Sequence, residues 1–317
     1  MLKPTWVLNK VTIKPKLKLT RRIPVFFLNG GIGNQLFGYA AGKAYSQINN
    51  TPVKFDLSDV GKGFTNHGSS IQVLSLEIEI APSKSKFQRL TSRIFNKLNR
   101  LFFKLTGIKP ISINNYSSHE IGYDAEILEK RFIRSARGYF QSWKFVEIAK
   151  EIFPPGDSIL KTPSRWFSNM SGLAKIENPI MVHVRRGDYK KLSDTYGLLS
   201  AGYYVAALEK VRNVLPLNPI WVFSDNIDEA KAILSPVFPI ETNWVKPPLD
   251  SDPVESLVLM SFGAANIIGN STFSWWSAML NKNSVVTISP QKWFKGMNDP
   301  KDLYPQSWTL VPSTWEN

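Results

Sequence analysis

Three observations predict an α/β chain organised in two domains. Near the start, a strand, a glycine-rich turn, a helix and a second strand follow one another within residues 23–56. At mid-chain, the apolar run Ile180-Met181-Val182-His183-Val184 passes without a polar loop into Arg185-Arg186-Gly187-Asp188-Tyr189. Beyond it, strand and helix patterns alternate again as far as Pro290. Such alternation marks parallel sheets covered by helices. Ligands of these sheets bind outside the carboxyl ends of the strands, which is where Arg185, Arg186 and Asp188 are expected. Two guanidiniums on a stiff strand suit a phosphate or pyrophosphate, because arginine offers a planar fork of donors. An Arg–Asp ion pair closing a strand is the plain alternative.

Residues 1–22 mix Lys and Arg with Trp6, Val7, Leu8 and Val11 and read as a basic N-terminal extension, without the continuous apolar core of a signal peptide. Ile23 to Leu28 form the first strand, and Asn29-Gly30-Gly31-Ile32-Gly33-Asn34-Gln35 the turn. Leu36, Phe37, Ala40, Ala41, Ala44, Tyr45 and Ile48 then share one broad helical face. Pro52 to Asp56 is a second strand. The turn is not the dinucleotide fingerprint, since Leu36 stands where the third small residue belongs. Nor is it a phosphate loop, since no Gly-Lys-Ser/Thr closes it. On its own it is a tight strand-to-helix turn.

Between Lys84 and Lys109, Phe87, Leu90, Ile94, Leu98, Leu101, Leu105 and Ile108 recur at helical spacing beside a stripe of Lys and Arg. Ala81 to His119 contains no acid. Two readings stand: a helix lying on an anionic membrane surface, or one packed on its own domain with a solvated basic face. Gly138 to Trp143 reads as a short strand and turn before the helical Phe145-Val146-Glu147-Ile148. Phe153-Pro154-Pro155-Gly156-Asp157 breaks the chain, and Lys161 to Asn178 leads into the central strand. The first domain is accordingly set at 23–165 with a basic insert near 84–109, the second at 175–300, and a tail at 301–317.

In the second domain a helix is expected over Tyr203–Val214, then a strand over Ile220–Phe223 with Ser224-Asp225-Asn226 at its carboxyl end. A helix over Asp228–Leu234, a short strand at Asn243–Val245 and a helix over Val254–Ala264 follow. Ala265–Gly269 is a buried strand running into Asn270-Ser271-Thr272-Phe273-Ser274-Trp275-Trp276. A helix opening at Ser271–Ser274 would aim backbone N–H groups and hydroxyls at an anion; an ordinary cap with a buried Trp pair is the alternative.

The 317 residues carry 39 Lys+Arg against 25 Asp+Glu, a formal charge of +14, which favours an anionic partner. A hydrophobic content of 43% excludes global disorder. Without cysteine there is no disulfide framework, thiolate zinc site or cysteine nucleophile. His67, His119 and His183 are too scattered to suggest a metal cluster. No run approaches the roughly 18–20 apolar residues of a membrane span, so a cytoplasmic protein is expected, attached peripherally, if at all, to the inner face of the cell membrane.

Four segments together resemble the α-1,2-fucosyltransferases of glycosyltransferase family 11: Gly30 to Phe37, His183 to Tyr189, Phe223-Ser224-Asp225, and Asn270 to Trp276. Gly138-Tyr139-Phe140-Gln141-Ser142 is also similar to a family segment. The resemblance implies a GT-B fold, two Rossmann-like domains facing a central cleft. It implies inverting transfer of fucose from GDP-fucose, without a metal or other cofactor, to the 2-hydroxyl of a terminal galactose on an oligosaccharide or lipid-linked glycan. By position in the motifs, Arg185 would hold the β-phosphate and Asp188 is the motif's acid, as base or as an orienter of an arginine. The substrate-binding set would comprise Asn34, His183, Arg186, Asp225, Glu255, Ser271, Thr272, Phe273 and Ser274. Within it His183 is placed near guanosine, Glu255 on the guanine N–H donors and Asn34 on the fucose or the acceptor hydroxyl. Arg186, pointing to the opposite side of an extended segment, reads as structural. Asn226 stands where the family often has a second acid.

Something must stabilise charge on the departing GDP, either a metal or fixed cationic donors. Asp250-Ser251-Asp252 matches the short acidic motif of metal-dependent transferases, but the arginines supply the alternative and are preferred. One rival is a transferase using another nucleotide sugar or another linkage. The other, a non-catalytic anion-binding protein at a membrane or nucleic acid, predicts that basic residues dominate one face and that no cleft joins the Gly33 and Arg185 loops. No nucleic-acid-binding signature is present, and no nucleic-acid partner is expected.

Overall fold

The computed structural model describes residues 22–62, 70–82 and 115–316. His67 and the basic stripe of 84–109 lie outside the described residues, as does the N-terminal extension up to residue 21.

Strand β1 (Val25–Asn29) leads through the glycine turn into helix α1 (Ile32–Asn49), and β2 (Lys54–Asp59) returns beside β1. Further along come β3 (Asn115–Ser117), α2 (Glu126–Glu129), β4 (Ser135–Arg137) and α3 (Trp143–Ile148). The first sheet is wholly parallel in the order β2-β1-β4-β3. Gly138–Ser142, expected as a strand and turn, follows β4 without joining it. Helix α1 closes with Asn50 in the left-handed region (φ 45), its N–H meeting the Ser46 carbonyl. Ile48, expected on the buried face, is 51% exposed in the last turn.

Helix α4 (Arg165–Glu177) occupies most of what read as a lead-in. After it come β5 (Ile180–Val184), the short α5 (Ser193–Tyr196), α6 (Ala201–Arg212), β6 (Ile220–Ser224), α7 (Ile227–Leu234) and β7 (Asn243–Trp244). Next are α8 (Pro253–Leu259), β8 (Ala265–Ile267), α9 (Thr272–Leu280) and β9 (Val286–Pro290), with β10 (Thr309–Val311) last. All strands of this second sheet are parallel, in the order β10-β9-β8-β5-β6-β7. From β5 the chain builds outward to β7 on one side, then crosses to β8 and builds outward to β10 on the other. That reversal is the Rossmann strand order, and ligands of such sheets bind where the order reverses. The fold is thus two parallel Rossmann-like units of GT-B type. Residues 301–317, expected as a tail, carry β10 instead.

Alternation along β5 divides its side chains between two cores. Ile180, Val182 and Val184 join the cluster under α6. Met181 joins a larger cluster that runs without a break into the first domain, through Trp221, Trp275, Trp276, Phe37, Tyr39 and Phe26. Helix α1 is the bridge. Gly42 lets it settle on β2, where an added Cβ would stand 2.6 Å from the Phe55 ring. Its Phe37 packs on Trp275 at 4.5 Å and Trp276 at 5.2 Å between ring centroids. The chain crosses back once more after β9: the Asp302 carbonyl accepts from Trp143 N–H and Ser142 Oγ, and its carboxylate pairs with Lys144 at 2.9 Å.

Candidate active site

The carboxyl ends of β5 and β8 flank the reversal point, so the segments leaving them, Arg185–Tyr189 and Ile268–Phe273, define the crevice. Gly187 leaves room there for Asp225, whose Oδ2 would stand 2.4 Å from a Cβ at this position. Arg185, 11% exposed, is gripped by two carboxylates: Asp188 Oδ1 at 2.5 Å and Asp225 Oδ2 at 3.1 Å. Its guanidinium also lies 5.2 Å from the centre of the Tyr189 ring. Asp225 spans the motif, since its Oδ1 accepts the Arg186 backbone N–H at 2.8 Å.

Arg186 turns the other way, as its position on an extended segment predicts. Its side chain is buried, with Nη1 and Nη2 on the two oxygens of Glu316 at 2.7 and 2.6 Å, and Glu229 farther off at 3.8 Å. Lys190 also reaches Glu229. Around the motif three cations therefore face four carboxylates. The Arg–Asp ion pair, the plain alternative, is present at Arg185, and Arg186 has the structural setting expected of it; an incoming phosphate has to compete with carboxylates for Arg185. Asp188 orients Arg185 in this arrangement.

His183 lies 4% exposed on the face of β5 opposite the α6 core, its ring 5.6 Å from that of Phe273. Burial, with the charge of Arg185 adding, pushes its pKa down to about 3, so the imidazole is neutral at pH 7. Its Nδ1 is buried without a hydrogen-bond partner among the described residues. Tyr189 hydrogen-bonds the Asn270 carbonyl at 3.1 Å, and burial raises its pKa well above the ordinary value. Tyr196 packs on Tyr189; burial raises its pKa too, and the nearby Tyr139 and Asp188 add to the rise.

The segment after β8 divides between scaffold and surface. Asn270 is buried, its Nδ2 bonded to the carbonyls of Tyr196, Gly197 and Trp293. Ser271 caps α9 by accepting from Phe273 N–H, and Ser274 is wholly buried with its hydroxyl directed at the carbonyls of Gly269 and Ser271. Those two hydroxyls, expected on an anion, are engaged within the helix start itself. Thr272 and Phe273 are the half-buried members. Thr272 meets the glycine turn of the first domain: a Cβ on Gly33 would stand 2.5 Å from its backbone carbon. The glycine turn of the first domain thus packs on the start of α9, and within the second domain Phe273 of that helix lies beside His183. Asn34, next in the turn, accepts from Gln141 Nε2 at 2.9 Å.

Glu255 has a different setting from the one expected. It is 5% exposed, and its two oxygens accept from Ser164 N–H at 2.6 Å and Ser164 Oγ at 2.7 Å. Those bonds fix the residue that caps α4. Asp252 caps α8 through Val254 N–H, while Asp250 is exposed. Asn226 caps α7 and also donates to Glu229. No cluster of three or more metal-ligating side chains occurs among the described residues. Glu316, Glu229 and Gln141 are site-supporting residues that sequence reasoning missed. Gln141 lay inside a quoted segment, but nothing local in sequence signals the other two.

The model of glycosyl transferase family 11 matches residues 139–311, more than half of the chain. The chain is 30% identical over 298 residues to an α-1,2-colitosyltransferase of Escherichia coli, covering 91% of this chain and 99% of that protein. It is 27% identical over 304 residues to the O-antigen biosynthesis glycosyltransferase WbnK of the same species, covering 89% and 98%. Among solved structures, fucosyltransferase NodZ from Bradyrhizobium is similar at a TM-score of 0.42 and 13% identity, over 82% of this chain and 93% of that one. POFUT1 in complex with GDP is similar at 0.41 and 13%, over 85% and 97%. With its motifs at the reversal point of the second sheet and at the seam between the two, the chain belongs to glycosyltransferase family 11.

Proposed function

We propose that this glycosyltransferase moves fucose from GDP-fucose, with inversion and without a metal, to the 2-hydroxyl of a terminal galactose on a glycan. The observation that carries the reading is Arg185, held at the carboxyl end of β5 by Asp188 and Asp225. A guanidinium fixed in a partly dry crevice needs little reorganisation to meet charge developing on a departing β-phosphate. Thr272 and the N-terminus of α9, which leaves the carboxyl end of the neighbouring strand β8, would supply further donors. The acceptor would enter against the glycine turn, where Asn34 follows the residue that meets Thr272. The polysaccharide setting is supported by the two relatives above.

A second donor is favoured by the relative named for colitose, which is fucose lacking its 3-hydroxyl. The test is incubation with GDP-fucose, GDP-colitose, GDP-mannose and UDP-galactose on galactose-terminated acceptors, with linkage read by mass spectrometry and NMR. A fucosylated 2-linked product is expected. A colitosylated product alone would replace the donor, and turnover with UDP-galactose alone would overturn the GDP-sugar reading. We also propose peripheral attachment to an anionic leaflet through the stripe near 84–109. Flotation with anionic liposomes at low salt is expected, and lost in Leu98→Glu/Leu101→Glu; a wild type that does not float refutes it.

A further inference from the structure

We infer that Gln141 is a positioning residue for sugar binding, holding Asn34 so that its side-chain amide presents N–H donors to a substrate oxygen. The inference rests on the glycosyl-transfer reading above. It begins with strain. Phe140 adopts φ +53, a left-handed conformation that is costly for a bulky side chain. Its ring is wholly buried against Phe26 and Phe145, so core packing holds the turn in place. Just after it the chain is pinned by Gln141 N–H on the Ile121 carbonyl and by the Ser142 hydroxyl on that of Asp302. The consequence of this turn is the direction of Gln141.

Gln141 is 6% exposed and donates through Nε2 to Asn34 Oδ1, while its own Oε1 is buried with no hydrogen-bond partner among the described residues. An unmet buried acceptor is destabilising, and an apolar side chain of similar size would serve a core better. The amide is therefore explained by its hold on Asn34 and not by stability. Asn34 is half-buried, and its Nδ2 makes no hydrogen bond to a described residue. Gly30, at φ +66, leaves the space beside that nitrogen clear, since a Cβ there would approach Nδ2 to 2.8 Å. One residue earlier, Gly33 touches Thr272 at the start of α9. With Oδ1 engaged by Gln141, what Asn34 has to offer is its Nδ2, a donor beside Gly30 in the turn that packs on Thr272, suited to a sugar hydroxyl or ring oxygen and unsuited to taking a proton.

The test compares Gln141→Glu, Gln141→Met and Asn34→Ala with wild type, on whichever donor and acceptor wild type uses. A carboxylate at 141 can only accept, so it draws Asn34 Nδ2 inward and should lower acceptor kcat/KM at least about thirtyfold; Gln141→Met frees Asn34 and should lower it about tenfold. Affinity for GDP by calorimetry should stay within about twofold, and the Met variant should melt no lower than wild type. In the Asn34→Ala background, adding Gln141→Met should cost less than about twofold more. A Gln141→Met protein with unchanged kcat/KM and a lower Tm, or losses that simply multiply, would overturn the inference. An activity-free readout separates this from failure of the proposed function. In protein labelled with 15N-asparagine, the Asn34 side-chain amide should exchange with water in wild type and be protected in Gln141→Glu; protection in wild type refutes the assignment.

Discussion

Replacing Glu316 by alanine strips the Arg186 guanidinium of its bidentate partner while leaving it buried. In the structure both terminal nitrogens reach Glu316, at 2.7 and 2.6 Å, from a side chain only 5% exposed. Breaking such a buried pair from one side costs roughly 3–5 kcal/mol, because the remaining charge stays desolvated. Two features place Glu316→Ala at the lower end: Glu316 is itself 28% exposed, and Glu229 remains 3.8 Å from Nε as a weak substitute. We expect about 3 kcal/mol, which for a chain of 317 residues corresponds to roughly 4–5 °C in Tm. Because a continuous core joins the two sheets, one transition is expected, followed by tryptophan fluorescence in urea. The control is Arg186→Met/Glu316→Leu, which removes both charges and should recover most of the loss. A single variant within about 0.5 kcal/mol of wild type, the range of ordinary surface substitutions, would refute the argument. So would a double variant no more stable than the single one.

Acid sensitivity should trace partly to His183. Its folded pKa of about 3 lies below the unfolded value near 6.5, so its stabilising effect is complete above pH 6.5 and declines as pH falls toward 3. Between about pH 7.5 and about pH 5 the decline is about 2 kcal/mol, and urea midpoints of His183→Phe should lack that component; equal slopes would exclude it. If Arg185 neutralises the leaving group, turnover should survive excess chelator, and Arg185→Lys should be badly impaired although charge is kept, because a fork becomes a point donor. Loss of turnover in chelator, restored by Mn²⁺ or Mg²⁺, would return Asp250 and Asp252 to consideration as ligands. Glu255→Ala should destabilise the chain by about 1.5–3 kcal/mol through loss of the bonds to Ser164, with the dissociation constant for GDP changed less than about twofold. A tenfold weaker constant would instead support the guanine-binding role.

What was legible in the sequence was local. Five consecutive buried residues make β5 readable, and the arginines follow it directly. The glycine turn is readable for the same reason: strand, turn and helix are contiguous. Strands β3, β4 and β10 have three residues each, too few to display a period, and β4 is flanked by Arg134 and contains Arg137. Helix α4 was hidden because it buries only Phe167, Ser171 and Ala174, while Leu173 and Ile176 face outward. Its apolar residues therefore outline no clean stripe.

The site was legible as a list of groups but not as an electrostatic object. Arg185 and Arg186 follow β5 as their sequence positions indicate, yet the partners that hold them lie far along the chain: Asp225 stands 39 residues from Arg186, and Glu316 stands 130 residues from it. No local pattern reports those distances. The same holds for the seam. Gly33 and Thr272 are recognisable separately as a turn and a helix start, but only packing shows that the missing Cβ of one is occupied by the backbone of the other. That contact couples the two domains through the glycine turn, one residue from Asn34. A Gly33→Ala substitution would therefore displace the α9 N-terminus and the Asn34 amide together, the proposed phosphate and sugar sides at once. The turn that sequence alone reads as an ordinary strand-to-helix connection thus joins the two halves of the proposed reaction site.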